Sequence, residues 1–165
     1  ENRLASQVFA NLGAGCVDSS PYGGNVANRL RFPLDVLAAV RTAWPGDKPL
    51  SVRLSSSDWA PGGLTEPELV EIARAMKAHG ADLLDLSSGQ TVPWQKPVYG
   101  RMWQTPFSDL VRNHVDIPTI AVGNIYEADH ANSIIASGRA CERCMNVVMR
   151  SAGCWPSESI VSACV

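Results

Sequence analysis

Pro49-Leu50-Ser51-Val52-Arg53-Leu54 is a short stretch bounded by turn residues, apolar at Leu50, Val52 and Leu54 and polar between them. That alternation predicts a half-buried strand. Upstream, Leu34, Leu37, Ala38 and residues 41–44 recur at helical spacing until Pro45-Gly46 stops the run. Pro33 stands where a first-turn proline is tolerated, so the helix is expected to open there. Downstream, polar residues 55–58 and Pro61-Gly62-Gly63 make a loop. Thr65 and Glu68 then have capping-box spacing, and Leu69, Ile72, Ala73 and Met76 form one apolar stripe that closes near Gly80.

The pattern then repeats. Asp82-Leu83-Leu84-Asp85-Leu86 predicts a second strand, followed by a loop from Ser87 to Met102 rich in Gly, Pro and aromatics. Its length marks it as a carrier of function rather than a mere connection. Phe107, Leu110 and Val111 mark a shorter helix, Pro118 to Val122 a third strand, and Glu127 to Ser137 a helix with Ile134 and Ile135 inward. Strands recurring at about 35 residues, each followed by a helix, imply parallel pairing with right-handed crossovers. A (β/α)8 barrel and an open doubly wound sheet share this grammar. A full barrel takes about 250 residues, so three units can form only part of one.

Composition narrows the function classes. The 165 residues are 45% apolar, and 14 basic against 16 acidic side chains leave a formal charge of -2. One globular domain fits, and nucleic acid finds no electrostatic footprint. No apolar run approaches the roughly 18 residues of a membrane span, and no basic patch leads into a hydrophobic stretch at the start. The expectation is a cytoplasmic chain with no membrane or nucleic-acid partner. It opens at Glu1, which suggests a start inside a longer reading frame. An odd number of cysteines without a secretory signal argues for reduced thiols. Cys141, Cys144, Cys154 and Cys164 could in principle complete a tetrahedral metal site or hold a cluster. Cys154 lies ten residues beyond Cys144, however, and no metal site is expected.

In either architecture, function belongs at the carboxyl ends of the strands. Arg53 lies there in an apolar stretch, where a guanidinium is costly unless an anion or polar ring satisfies it. A core carboxylate such as Asp85 on the neighbouring strand is the plainer partner. Gly123-Asn124 ends the third strand before a helix, a place where backbone N–H groups can approach a phosphate or simply make a tight turn. Ser87-Ser88-Gly89 allows the same two readings. His79, His114 and His130 all fall in helices or at their ends and read as solvated. With no nucleophile–base pair, P-loop or G-x-G-x-x-G, the residues by themselves reach only an α/β ligand-binding scaffold.

Residues 22–33, Tyr22-Gly23-Gly24-Asn25-Val26-Ala27-Asn28-Arg29-Leu30-Arg31-Phe32-Pro33, closely resemble the YGGS-x-ENR-x-RFP signature of the Old Yellow Enzyme family of FMN-dependent NADH:flavin oxidoreductases. Ser51 to Ser55, Asp85 to Gly89 and Ile120 to Gly123 follow in order and look like successive strand ends of that family's barrel. Lys96 to Met102 followed by Gln104-Thr105-Pro106-Phe107 is most similar to the reductase half of salicylyl-CoA 5-hydroxylase and 2-aminobenzoyl-CoA monooxygenase/reductase proteins.

The resemblance implies a partial TIM (β/α)8 barrel, about strands 5–7 with flanking helices, over residues 22–140. An unmatched segment, 1–21, precedes it and a divergent Cys-rich tail, 141–165, follows. It implies FMN as cofactor, NADH or NADPH as reductant, and hydride passed via flavin to an aromatic acyl-CoA or conjugated carbonyl. Arg53 would contact the flavin ring, Ser88 and Gly89 would line the cavity beside it, and Gly123 with Asn124 would approach the FMN phosphate. Tyr99 and Arg101 would meet substrate. The family's paired substrate-binding residues come from the first four strands, so the catalytic residues are expected outside this chain and the fragment is expected to be inactive alone. Ala27 stands where the signature has glutamate, and Cys141 to Asn146 breaks the pattern of an eighth strand. The competing expectation is a noncatalytic half-barrel scaffold, either a homo-oligomer or completed by a missing half-barrel.

Overall fold

Leu50, Val52 and Leu54 are wholly buried, and the alternation that carries them becomes a strand because each faces helices while its neighbours face the opposite way. The computed structural model describes residues 8–10 and 21–141. Its elements are β1 (Val8–Ala10), α1 (Val26–Ala43), β2 (Ser51–Ser55), α2 (Glu66–Ala78), β3 (Leu83–Ser87), α3 (Thr105–Val115), β4 (Thr119–Ala121) and α4 (Ala128–Ala136).

All described strands pair in parallel and in sequence order, β1-β2-β3-β4. Val52 stands opposite Leu84, and Arg53, Asp85 and Ile120 share one level. A doubly wound sheet reverses its strand order at a switch point. This sheet does not reverse, and a helix occupies every crossover, so the two architectures separate: the chain forms part of a (β/α) barrel. Leu50, Val52, Leu54, Leu84 and Leu86 pack against Leu30 and Leu37 of α1, Leu69, Ile72 and Met76 of α2 and Val111 of α3 in one cluster. Ala121 joins a smaller cluster with Ala131 and Ile134 of α4.

Three expectations need correction. Helix α1 opens at Val26, not Pro33: Asn25 is the cap, its Oδ1 accepting from Asn28 N at 2.9 Å. Pro33 lies within the helix, where it forfeits the bond to the Arg29 carbonyl, and buried Leu30 and Leu37 on either side pin the helix across that gap. Strand β1 is a fourth strand beyond the three that the spacing suggests, its three residues being too few for any alternation to show. His130 is buried rather than solvated. It is four residues before Ile134 and so shares the inward face of α4, with Tyr126 edge-on at 5.0 Å. Its Nε2 is 3.3 Å from Glu127 Oε2, yet neither ring nitrogen has an aligned hydrogen bond among the described residues.

The capping box at α2 forms as expected. Thr65 N and Oγ1 donate to Glu68 Oε2 at 2.9 and 2.8 Å. The other oxygen of Glu68 pairs with Arg29, a buried side chain of α1. Arg29 thus keeps a carboxylate partner although Ala27 replaces the glutamate of the signature. Partial burial raises the Glu68 carboxyl, but the Thr65 N–H, the Thr65 hydroxyl and Arg29 outweigh it and hold the group below its ordinary value.

The amino-terminal ends of the strands are tied by cations from helix ends. Arg41 donates to Asp82 Oδ2 and to the carbonyls of Pro45 and Lys48, each at 3.0 Å. The same Asp82 oxygen accepts from Leu50 N at 2.7 Å. Lys77 donates to the carbonyls of Val115 and Asp116 at 2.9 and 2.6 Å. Among the described residues no helix is long and apolar enough to cross a membrane.

Candidate functional site

The face of the sheet turned away from the helices is polar. Ser51, Arg53, Ser55, Asp85 and Ser87 alternate with the buried leucines along β2 and β3. Arg53 reaches across to β3, where Nη1 donates to Asp85 Oδ2 at 3.1 Å and Nε to Ser87 Oγ at 3.2 Å. Asp85 is 3% exposed. Burial pushes its carboxyl above the ordinary value, against the pull of Arg53 toward the charged form. Asp85 Oδ1 and the hydroxyls of Ser51 and Ser55 are buried without a hydrogen-bond partner among the described residues.

Above Arg53 opens a cavity of about 380 Å³ lined by Arg53, Ser87, Ser88, Gly89, Gln90, Gln95, Pro97, Tyr99, Trp103 and Gln104. That volume lies in the roughly 300–1,000 Å³ range of ligand clefts. Its wall is organised by a relay: Trp59 Nε1 donates to Ser88 Oγ at 2.9 Å, and Ser88 Oγ donates to Gln104 Oε1 at 2.8 Å. Once the Gln104 oxygen is fixed by Ser88, its NH2 must point the other way, toward the turn after β4. A Cβ on Gly123 would stand 2.9 Å from Gln104 Nε2 and 2.9 Å from Trp103 Nε1, and the residue has φ +98°. Only glycine fits there. Trp103 in turn packs tilted against Trp59 at 5.6 Å and edge-on to Tyr99 at 4.9 Å.

Backbone strain gathers in the same loops. Trp59, Gln90, Met102 and Asn124 all have φ between 53° and 64°, and each lies after the carboxyl end of a strand. Left-handed conformations at non-glycine residues cost of order 1 kcal/mol and cluster at ligand sites.

The structure brings Arg53, Ser88, Gly89 and Tyr99 to one cavity, with Gly123 against its wall. Asn124 is exposed beside Gly123, and Arg101 is exposed in the loop over the site; neither lines the cavity. Asp85, the partner suggested for Arg53, is among those it has. Gln104, Trp59 and Trp103 escaped the reading of single residues, since all three lie outside the 87–102 loop that was singled out. Among the described residues no group of three His, Cys, Asp or Glu side chains could hold a metal. Cys141 is a half-buried free thiol, while Cys144, Cys154 and Cys164 lie outside the described residues.

Among known proteins, the sequence profile of the NADH:flavin oxidoreductase / NADH oxidase family matches residues 13–141. The chain belongs to that family. Family relatives include the NADPH dehydrogenase of Geobacillus sp. (strain WCH70), 44% identical over 119 residues, which are 72% of this chain and 34% of that one. The NADPH dehydrogenase of Clostridium acetobutylicum is 38% identical over 120 residues, 72% of this chain and 35% of its own. The chain therefore spans about a third of the length of these relatives. A solved complex of 2-naphthoyl-CoA reductase with 2-naphthoyl-CoA superposes with a TM-score of 0.65 and 27% identity, over 74% of this chain and 19% of that one. Morphinone reductase superposes with a TM-score of 0.61 over 82% of this chain and 38% of its own. At 22% identity that second match speaks for the fold alone.

The family is defined by flavin chemistry, and the residues present fit FMN. The cavity offers a permanent cation in Arg53, the Gln104 amide oriented by Ser88, serine hydroxyls and aromatic walls, with the Gly123 turn close behind. A planar polar ring and a phosphate need these donor types.

Proposed function

We propose that this chain supplies the carboxyl-terminal side of the FMN site in an NAD(P)H-oxidising flavin oxidoreductase that reduces an aromatic acyl-CoA or related conjugated carbonyl. One observation carries the reading: Arg53, held by Asp85 and Ser87, lines a cavity at the carboxyl ends of parallel barrel strands. The cofactor's own chemistry is hydride exchange between reduced nicotinamide and an unsaturated acceptor.

The roles of the chain's residues follow from their chemistry. Arg53 binds the flavin ring and favours the negative charge that reduction brings, since a guanidinium stays protonated at any working pH. Ser88 and Gly89 shape the floor, and the Ser88 hydroxyl orients Gln104. Gly123, with the Asn124 backbone, lets N–H groups approach the phosphate. Tyr99, 68% exposed, offers an aromatic face to an aromatic substrate, and Arg101 meets its carbonyl side or a CoA phosphate. The CoA preference is supported by the similarity of the 96–107 segment to acyl-CoA reductases and by the likeness to 2-naphthoyl-CoA reductase.

Reconstitution tests the proposal. The purified chain, incubated with FMN and desalted, should be yellow with near-equimolar flavin. A colourless oligomer would contradict the flavin reading and favour a noncatalytic scaffold.

A further inference from the structure

Resting on that flavin reading, we propose that Asp85 is a positioning residue that fixes Arg53 at the cavity and sets how much positive charge it presents to the flavin ring. Two inward residues of β3 grip the guanidinium, Asp85 at Nη1 and Ser87 at Nε. Being two positions apart on one strand, they leave it little freedom to swing. Asp85 is a costly way to achieve this if stability were the only gain. It is 3% exposed, and its Oδ1 has no hydrogen-bond partner among the described residues. A buried ion pair seldom outperforms an apolar replacement of similar volume. The neighbouring strand carries an apolar residue, Ile120, at the same level.

What an apolar side chain could not supply is a negative charge behind the cation. Arg53 by itself would present a full positive charge to the ring; backed by a carboxylate 3.1 Å away, it presents much less at the distance of a bound ligand. Because such interactions are strong in a water-poor site, the carboxylate restrains how far the site favours the reduced, more negative flavin over the oxidised one. Asp85 does not line the cavity and acts through Arg53, which does.

The test measures, for the FMN-loaded chain and its Asp85→Asn variant, the affinity for oxidised FMN and the two-electron reduction potential. Asparagine keeps the volume and an oxygen for Arg53 but removes the charge. The expected result is an affinity ratio, reduced over oxidised FMN, about tenfold higher in the variant, or about 30 mV for a two-electron couple. An unchanged ratio with only a lower unfolding stability would overturn the inference and leave Asp85 a structural residue. A wild-type chain that binds no FMN would instead refute the flavin reading, and the inference with it. If Asp85→Asn does not fold, Asp85→Ser, smaller and equally uncharged, is held to the same two outcomes.

Discussion

The two ends of the strands make opposite use of the same chemistry. At the amino-terminal ends, Arg41 and Lys77 direct their donors to backbone carbonyls and to Asp82, itself bound to Leu50 N. At the carboxyl ends, Arg53 lines an open cavity, and four of the five described non-glycine residues with left-handed backbones lie in the loops there, the fifth being Asp116 at the end of α3. One end is cross-linked by cations on backbone carbonyls, and the other carries the cavity that the proposed function uses. In barrels this division separates stability from function, and here it is visible within three strand–helix units.

Substitutions can break or sharpen the contrast. Leu84→Ala, beneath both ends and wholly buried, should lower unfolding stability by about 2–5 kcal/mol in a denaturant titration. Arg53→Ala should weaken FMN binding by about 1.5–3 kcal/mol, the range of hydrogen bonds to charged groups, read by flavin fluorescence. Asp82→Ala should reverse that pattern, costing about 1–3 kcal/mol of stability through the orphaned Leu50 N–H while FMN affinity stays put. Comparable loss of FMN from Asp82→Ala would erase the distinction between the ends.

The smallest effect concerns the ion pair between helices. Glu68 titrates below its ordinary value in the folded chain, so its stabilisation is full above the unfolded carboxyl pKa of about 4.3. It is lost as the pH falls through the lower folded value. Glu68→Gln should remove up to about 1 kcal/mol at neutral pH and flatten the acid limb of the stability profile. Calorimetry across that range checks it, and an unaltered slope would mean that Arg29 and the Thr65 cap do not depend on the charge.

Much of this was legible because it rests on local pattern. The alternation of Leu50, Val52 and Leu54, the capping box at Thr65 and the stripe from Leu69 to Met76 each state an element and its buried face. Arg53 and Asp85 could be paired from the sequence because parallel neighbours in register bring alternate residues to one level. What escaped depends on contacts distant in sequence. Trp59, Ser88 and Gln104 meet only because two loops fold over the same strand ends. Helix α1 ran through Pro33 because burial on both sides outweighed a lost hydrogen bond, a balance no local propensity expresses. His130 read as solvated because its residue type was weighed ahead of its spacing from Ile134, which places it on the inward face. Choosing a barrel over a doubly wound sheet needed strand order, which periodicity does not contain.

The central claim, that the carboxyl end is the flavin site and Arg53 its anchor, is tested most directly by FMN dissociation constants for Arg53→Ala and Asp82→Ala measured side by side. The expected outcome is about a tenfold or greater loss for the first and wild-type affinity for the second. Equal affinities in all three proteins would contradict it.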